Sequence, residues 1–172
     1  EFIAFARTYP SFQAINTDLL GLSVDSNASH LAWVYSIYQA NDIEIPFPVV
    51  ADRMGDIARL YGMFPSDPNT QATVRNVYII DPEQTIRAIL SYPYNVGRNI
   101  NEIHRLVVAL QTSIENNALI PANWTPNNPV LLPAPTTYQE LLLRVNNPEN
   151  LDISCVEWYW CYKRIPGGYG SP

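Results

Sequence analysis

The chain has 172 residues, enough for one ordinary domain or for one domain with an extension. Hydrophobic residues make up 47% and charged residues 15%, so there is apolar surface to bury and disorder of the whole chain is excluded. Ten basic against sixteen acidic residues leave a net charge of −6, and no stretch gathers Lys and Arg into a phosphate-neutralising patch, so nucleic acid and anionic membrane surfaces fall away as partners.

The chain opens at Glu1, without Met, and the residues after it already read as the inside of a helix with no capping residue ahead; an amino-terminal piece is expected to be missing. Phe2, Ile3, Phe5 and Ala6 fall at helical spacing. Tyr9, Phe12 and Ile15 continue the stripe past Pro10, which predicts a helix bent at the proline and running to about Asn16. Leu19 to Val24 is a short apolar run reaching Asp25-Ser26-Asn27, the pattern of a buried strand that delivers the chain to a helix cap. The next helix is expected from about Ser29 to Ala40, with Leu31, Val34, Tyr35 and Tyr38 recurring at three- and four-residue steps.

Pro46 to Val50 reads as an extended segment entering Ala51-Asp52, with Asp52 as the cap of a short helix through Ile57, Ala58 and Leu60 that stops at Gly62. Phe64 to Ala72 is a Pro- and Asn-rich loop before a strand over Val74 to Ile80. Asp81-Pro82-Glu83-Gln84 supplies a turn. Beyond it Ile86, Ala88 and Leu90 alternate with Thr85, Arg87 and Ile89, which predicts an antiparallel hairpin. A further helix is expected over about Ile100 to Gln111, with Ile103, Leu106, Val107 and Leu110 on its buried side.

From residue 121 the character changes: the remaining stretch holds 8 of the 15 prolines and shows helical periodicity only over Tyr138 to Val145. Residues 1–120 therefore read as the core and 121–172 as an extended arm. With Trp124, Trp158 and Trp160 and few charges, such an arm has apolar area to bury, and a contact with a neighbouring subunit is the favoured use. Strands alternating with helices, then a hairpin and a helix, imply an α/β sandwich with a mixed central sheet. No apolar run approaches the roughly 20 residues of a membrane span, and the amino end lacks the order of a signal peptide, so a soluble, cytoplasmic chain is expected.

Cys155 and Cys161 stand six positions apart among aromatic residues. Their spacing is not that of a zinc site, and His30 and His104 are distant in sequence. Two readings compete: a pair of half-buried thiols behaving as small hydrophobes, or a redox pair on an arm that carries a thiol to a distant reaction centre. Arg75, in a strand otherwise of Val, Tyr and Ile, either points to solvent or lies beside an anion at a site. Arg98, following Gly97, is a surface charge or forks onto a carboxylate such as Glu1. His30 reads as a hydrogen-bonded structural residue. Nothing resembling a nucleophile elbow, a phosphate-binding glycine loop or a dinucleotide fingerprint is present.

Taken together, the pieces resemble the peroxiredoxins, and within them the one-cysteine-like members of archaea and bacteria with a long carboxyl-terminal arm. The pieces are Leu22-Ser23-Val24-Asp25-Ser26 with His30-Leu31-Ala32-Trp33, Ala51-Asp52 with Tyr61-Gly62, and Thr73-Val74-Arg75 leading Tyr78-Ile79-Ile80-Asp81-Pro82. They continue with Tyr92-Pro93, Gly97-Arg98-Asn99, Glu102-Ile103 and Pro121-Ala122-Asn123-Trp124, where the family usually has Asp in place of Asn123.

The resemblance implies a thioredoxin-like α/β fold, a mixed sheet flanked by helices with an extended arm, and a thiol peroxidase needing no cofactor or metal. Its substrates would be hydrogen peroxide and organic hydroperoxides. Glu1 matches the glutamate of the family's Cys-Thr-Thr-Glu or Cys-Pro-Thr-Glu stretch, which puts the peroxide-attacking cysteine three positions ahead of this sequence. Arg75 is then the donor at the reacting centre, with Glu1 and Arg98 holding it in orientation. Cys161 is implied as the thiol that resolves the sulfenic acid of a partner subunit through an intersubunit disulfide, with Cys155 auxiliary. Recycling would use thioredoxin or a small thiol, and the assembly would be a swapped homodimer built into a ring of five dimers. The alternative from another class is a non-catalytic scaffold or holdase that keeps the fold without the reactive cysteine.

Overall fold

The computed structural model describes residues 1–64, 73–146 and 152–165. The loop expected over 64–72 lies outside them except for Phe64. The chain divides into two compact units, Glu1–Ile100 and Asn101–Pro172. Among the described residues no helix is long and apolar enough to cross a membrane.

In the first unit, α1 (Phe2–Ala14) runs unbroken through Pro10. The proline has no N–H to give to the preceding turn. Two residues earlier the Thr8 hydroxyl donates to the Ala4 carbonyl at 2.9 Å and the Phe5 carbonyl at 3.3 Å. The helix ends in a two-bond cap: Asn16, in the left-handed region at φ 52°, donates to Gln13, and Thr17 donates back to Phe12. Phe12 is fully buried.

β1 (Gly21–Ser23) pairs in parallel with β2 (Val49–Ala51), residue 21 opposite 49. Between them lies α2 (Asn27–Asn41), capped by Ser26, whose hydroxyl accepts from the Ser29 N–H at 3.1 Å. The expected stripe on this helix is not its buried side. Leu31, Tyr35 and Tyr38 are exposed, while His30 and Ile37 are buried. His30 is the structural residue its position implied, its Nε2 lying 2.7 Å from the Ser23 hydroxyl.

Asp52 caps from a distance. Buried itself, it accepts from the backbone N–H of Ile57 at 3.2 Å and of Ala58 at 2.7 Å, so that α3 (Asp56–Leu60) starts four residues beyond it. Gly62 stops that helix at φ 63°, with Met63 donating back to Ala58 at 2.8 Å. β3 (Arg75–Ile80) and β4 (Ile86–Tyr92) form the expected antiparallel hairpin, with Arg75 opposite Tyr92. Parallel and antiparallel pairings are both present, but as separate ladders rather than one continuous sheet among the described residues.

In the second unit, α4 (Ile100–Asn116) extends past its expected end and buries Ile103, Val107, Val108 and Ala109. Leu106 and Leu110 are only half-buried. Glu102 takes a two-pronged ion pair from Arg105 at 2.6 and 2.7 Å, and Arg105 also donates to the Trp124 carbonyl at 2.9 Å, which fixes the loop after the helix. A three-stranded sheet follows in the order β5 (Val130–Leu131), β7 (Trp160–Lys163), β6 (Ile153–Glu157). Between β5 and β6 the chain forms α5 (Tyr138–Asn146).

Candidate active site

The first residue of α1 is fixed by what surrounds the second. The Phe2 ring lies 4.7 Å from Trp33 and 5.3 Å from Phe47, centroid to centroid, and Phe47 is buried. Below it Gly21 has no side chain; a Cβ there would stand 2.8 Å from the tip of the Phe2 ring. This close approach of strand to ring sets where α1 begins, and therefore where Glu1 sits.

Glu1 does not fold back to cap its own helix. Its carboxylate faces two guanidinium groups. One oxygen accepts from the Arg98 backbone N–H at 2.7 Å; the other accepts from Arg98 Nη1 at 3.0 Å and from Arg75 Nη1 at 3.2 Å. The side chains of Glu1, Arg75 and Arg98 remain 25%, 32% and 20% exposed, so the cluster is partly shielded yet open to a small solute. Burial pushes the Glu1 carboxyl up, but the Arg98 backbone N–H and then the charges of Arg98 and Arg75 outweigh it and hold it below its ordinary 4.5.

Two further contacts hold the arginines. The Arg75 guanidinium lies 5.1 Å from the centre of the Tyr94 ring, and Arg98 reaches the Asn76 carbonyl at 3.4 Å. The Asn76 side chain donates to the Tyr78 hydroxyl at 3.0 Å, and that hydroxyl donates to the Tyr61 carbonyl, so the start of β3 is tied to the end of α3. The result is two positive charges and one negative beside the amino end of a 13-residue helix. That end already favours an anion.

Arg75 thus lies beside an anion rather than pointing free into solvent, and Arg98 meets Glu1 through one guanidinium nitrogen and its backbone N–H rather than through a two-pronged guanidinium fork. Tyr94, in the loop after β4, was not picked out from the sequence. The only available signal was an aromatic residue just past Pro93, in a turn closed by the Val96 N–H donating to the Pro93 carbonyl at 3.1 Å.

The cysteines form a separate centre in the second unit. Cys155 and Cys161 are register partners across β6 and β7 and are joined by a disulfide within the chain, their Cα atoms 4.0 Å apart. Trp158 and Tyr159 make the turn between the strands, their rings edge to face at 5.3 Å. Arg144 on α5 fastens the hairpin, donating to the Pro133 carbonyl at 3.0 Å and the Trp158 carbonyl at 3.4 Å.

An α/β unit bearing a polarised helix start, together with a cysteine pair held as a disulfide, defines a protein suited to thiol redox chemistry. The comparisons with known proteins narrow the class. The AhpC/TSA family profile matches residues 1–89, and that of the C-terminal domain of 1-Cys peroxiredoxin matches residues 109–145. Peroxiredoxin 2 of Caldanaerobacter subterraneus subsp. tengcongensis is 50% identical over 165 residues, 96% of this chain and 74% of that protein. A peroxiredoxin of Archaeoglobus fulgidus is 44% identical over 96% of this chain and 78% of its own length. Among solved structures, the yeast mitochondrial 1-Cys peroxiredoxin superposes with a TM-score of 0.81 at 29% identity, covering 96% of this chain and 78% of that one. A mutant of peroxiredoxin 6 of Arenicola marina gives 0.81 at 25% identity, covering 97% and 79%. The chain belongs to the peroxiredoxin family of thiol peroxidases.

Proposed function

We propose that the intact protein reduces hydrogen peroxide and organic hydroperoxides with a cysteine three positions ahead of Glu1, and that Arg75 is the guanidinium that activates it. The observation that carries this reading is the Glu1 carboxylate gripping Arg75 and Arg98 at the start of α1. A sulfur attached just before that helix would meet the positive end of its dipole and a guanidinium. Such settings bring a thiol from about 8.5 down to between about 3.5 and 7.5.

The thiolate attacks the terminal peroxide oxygen; the oxygen–oxygen bond breaks, and the leaving alkoxide or hydroxide takes a proton to become alcohol or water. Arg75 donates to the oxygens as charge moves onto the leaving one. Glu1 and Arg98 act as positioning residues, keeping the fork of Arg75 aimed, a task that a lysine's single rotatable ammonium does poorly. The product is a sulfenic acid.

Cys161 of a partner subunit then condenses with that sulfenic acid, releasing water and forming the intersubunit disulfide. Cys155 next attacks Cys161, frees the peroxidatic thiolate and closes the bond Cys155–Cys161. A thioredoxin-like protein or a small thiol opens that bond for the next cycle. The yeast relative, whose resolving runs through glutathione and thioredoxin systems, is a precedent for either reductant. Residues 1–120 act as the core and 121–172 as the arm of a swapped homodimer, built into a decamer.

The test is a pair of stopped-flow experiments on the full-length protein. A peroxide burst of one equivalent per chain is expected, and Cys161→Ser should preserve that burst while abolishing thioredoxin-driven turnover. A full-length protein without a burst would remove the peroxidase reading; turnover surviving in Cys161→Ser would remove Cys161 as the resolver.

A further inference from the structure

The disulfide is lopsided. Cys161 is completely buried, whereas Cys155 is exposed. Cys161 lies on the middle strand β7, paired on one edge with β5 and on the other with β6, while Cys155 lies on the edge strand β6. The Cys161 carbonyl is itself taken by the Leu132 N–H at 2.9 Å, which closes the β5 side of the strand further.

Thiol–disulfide exchange is a displacement at one sulfur, and which sulfur is attacked depends on access. From this asymmetry we infer that an external thiol attacks this disulfide chiefly at Cys155, making Cys155 the residue through which reducing equivalents arrive and Cys161 the leaving group. This rests on the peroxidase relay proposed above and adds its direction: reductant to Cys155, then Cys161, then the peroxide-reacting sulfur.

The step balances as two displacements. The thiolate of a dithiol reductant bonds to Cys155 Sγ; the Cys155–Cys161 bond breaks, and its electron pair leaves on Cys161 Sγ. The second thiol of the reductant, having given up its proton, attacks its own first sulfur. Cys155 departs as thiolate, and the reductant is left as a disulfide. Two electrons and two protons pass from reductant to protein.

Cys161 Sγ lies 3.4 Å from the Glu157 carbonyl oxygen and 3.7 Å from that of Trp158. Both oxygens are acceptors, so they disfavour Cys161 as the departing thiolate and slow its leaving, a cost that access at Cys155 has to outweigh, and they favour the sulfur once it is protonated. Once the proton arrives, Cys161 is held as a thiol and its return onto Cys155 is slowed.

The experiment treats the oxidised chain with glutathione, a monothiol that cannot complete the second displacement. Samples are acid-quenched at early times and freed thiols blocked with N-ethylmaleimide. Cleavage after Glu157 separates the two positions for mass spectrometry. Glutathione on Cys155 with maleimide on Cys161 is expected to exceed the reverse pairing by about tenfold or more. Equal amounts, or glutathione mainly on Cys161, would overturn the inference. A second measurement repeats the labelling in mild urea, below the unfolding transition but enough to open the β5 edge. The preference should shrink there; a preference unchanged by loosening would mean that access does not set it, and would also overturn the inference. Neither readout involves peroxide. Labelling on Cys155 with intact turnover in Cys161→Ser would leave this inference standing and sink the relay, and the opposite pair of results would do the reverse.

Discussion

The two centres of this chain are built in opposite ways. The charged cluster gathers positions 1, 75 and 98, with contacts reaching across 97 residues of sequence. The cysteine pair closes over a separation of six, inside one hairpin. A centre assembled by long-range packing inherits every displacement of the core that carries it. A centre made within one hairpin depends on its own register and edge. The cluster should therefore be breakable by substitutions that never touch a charge, while the disulfide should answer chiefly to access and to the residues beside it.

The largest effect belongs to the cluster's own donor. In the full-length protein Arg75→Ala should slow the peroxide-dependent burst roughly a hundred- to a thousandfold, the loss found when one aimed donor is removed from a developing negative charge. Arg75→Lys should restore only a small part, because an ammonium cannot repeat the forked geometry. Stability should change by no more than about 1 kcal/mol, since a partly exposed ion pair is worth little and Glu1 keeps both of its contacts to Arg98. Stopped-flow fluorescence and thermal unfolding separate the two outcomes. A wild-type burst in Arg75→Ala would take Arg75 out of the chemistry.

Next comes a change remote from any charge. Gly21→Ala places a methyl group 2.8 Å from the Phe2 ring, which Trp33 and Phe47 hem in. Overpacking of this kind costs about 1–3 kcal/mol, and the displaced Phe2 should carry Glu1 with it. The variant should melt lower and also react more slowly with peroxide. Trimming the ring in the same chain, Gly21→Ala with Phe2→Leu, should recover part of the peroxide rate. Additive losses in the double variant would mean that the two residues do not meet.

This contact also shows what the sequence could and could not reveal. The hairpin of β3 and β4, the stop at Gly62 and the cap at Asp52 were legible because each depends on local chemistry: alternation, a left-handed glycine, a carboxylate near free N–H groups. The contact of Gly21 with Phe2 was not, since nothing in either residue announces the other. The helical steps of Leu31, Val34, Tyr35 and Tyr38 indicate the helix but not its buried side. Periodicity says nothing of what covers a face, and three of these residues are exposed while His30 and Ile37 are buried. The strands bearing the cysteines are not legible in the sequence, because the aromatic run Trp158-Tyr159-Trp160 masks the alternation. The residue pattern leaves Arg75 between solvent and an anion at a site, and Arg98 between the surface and a carboxylate such as Glu1; the resemblance implies that the three act together, and the fold brings both guanidinium groups onto Glu1.

The acid side offers a finer break. Because the folded Glu1 carboxyl titrates below its ordinary 4.5, its stabilisation is fully present above that value and is lost as pH falls through the folded one. Glu102, Asp81 and Glu140 are lowered as well and act with the same sign, so the whole-protein curve cannot isolate Glu1. The difference between wild type and Glu1→Gln can. The gap in unfolding midpoint should be open near neutral pH and close progressively below 4.5. A gap independent of pH would mean that Glu1 contributes through packing and not through its charge.

The smallest expected effect concerns Tyr94, the member of the cluster that sequence reasoning passed over. Its ring lies 5.1 Å from the Arg75 guanidinium carbon, yet the residue is 82% exposed. A cation over an exposed ring is worth about 0.5–1 kcal/mol. Glu1 holds Arg75 from one side only, through a single hydrogen bond, so the ring is what limits the swing of the guanidinium away from the helix end. Tyr94→Leu should then slow the peroxide step about two- to fivefold, the rate equivalent of that energy. Tyr94→Phe keeps the ring face and should react at the wild-type rate. If the phenylalanine variant is as slow as the leucine one, the hydroxyl rather than the ring is what matters, and the stacking account of Arg75 fails while its ion pair with Glu1 stands.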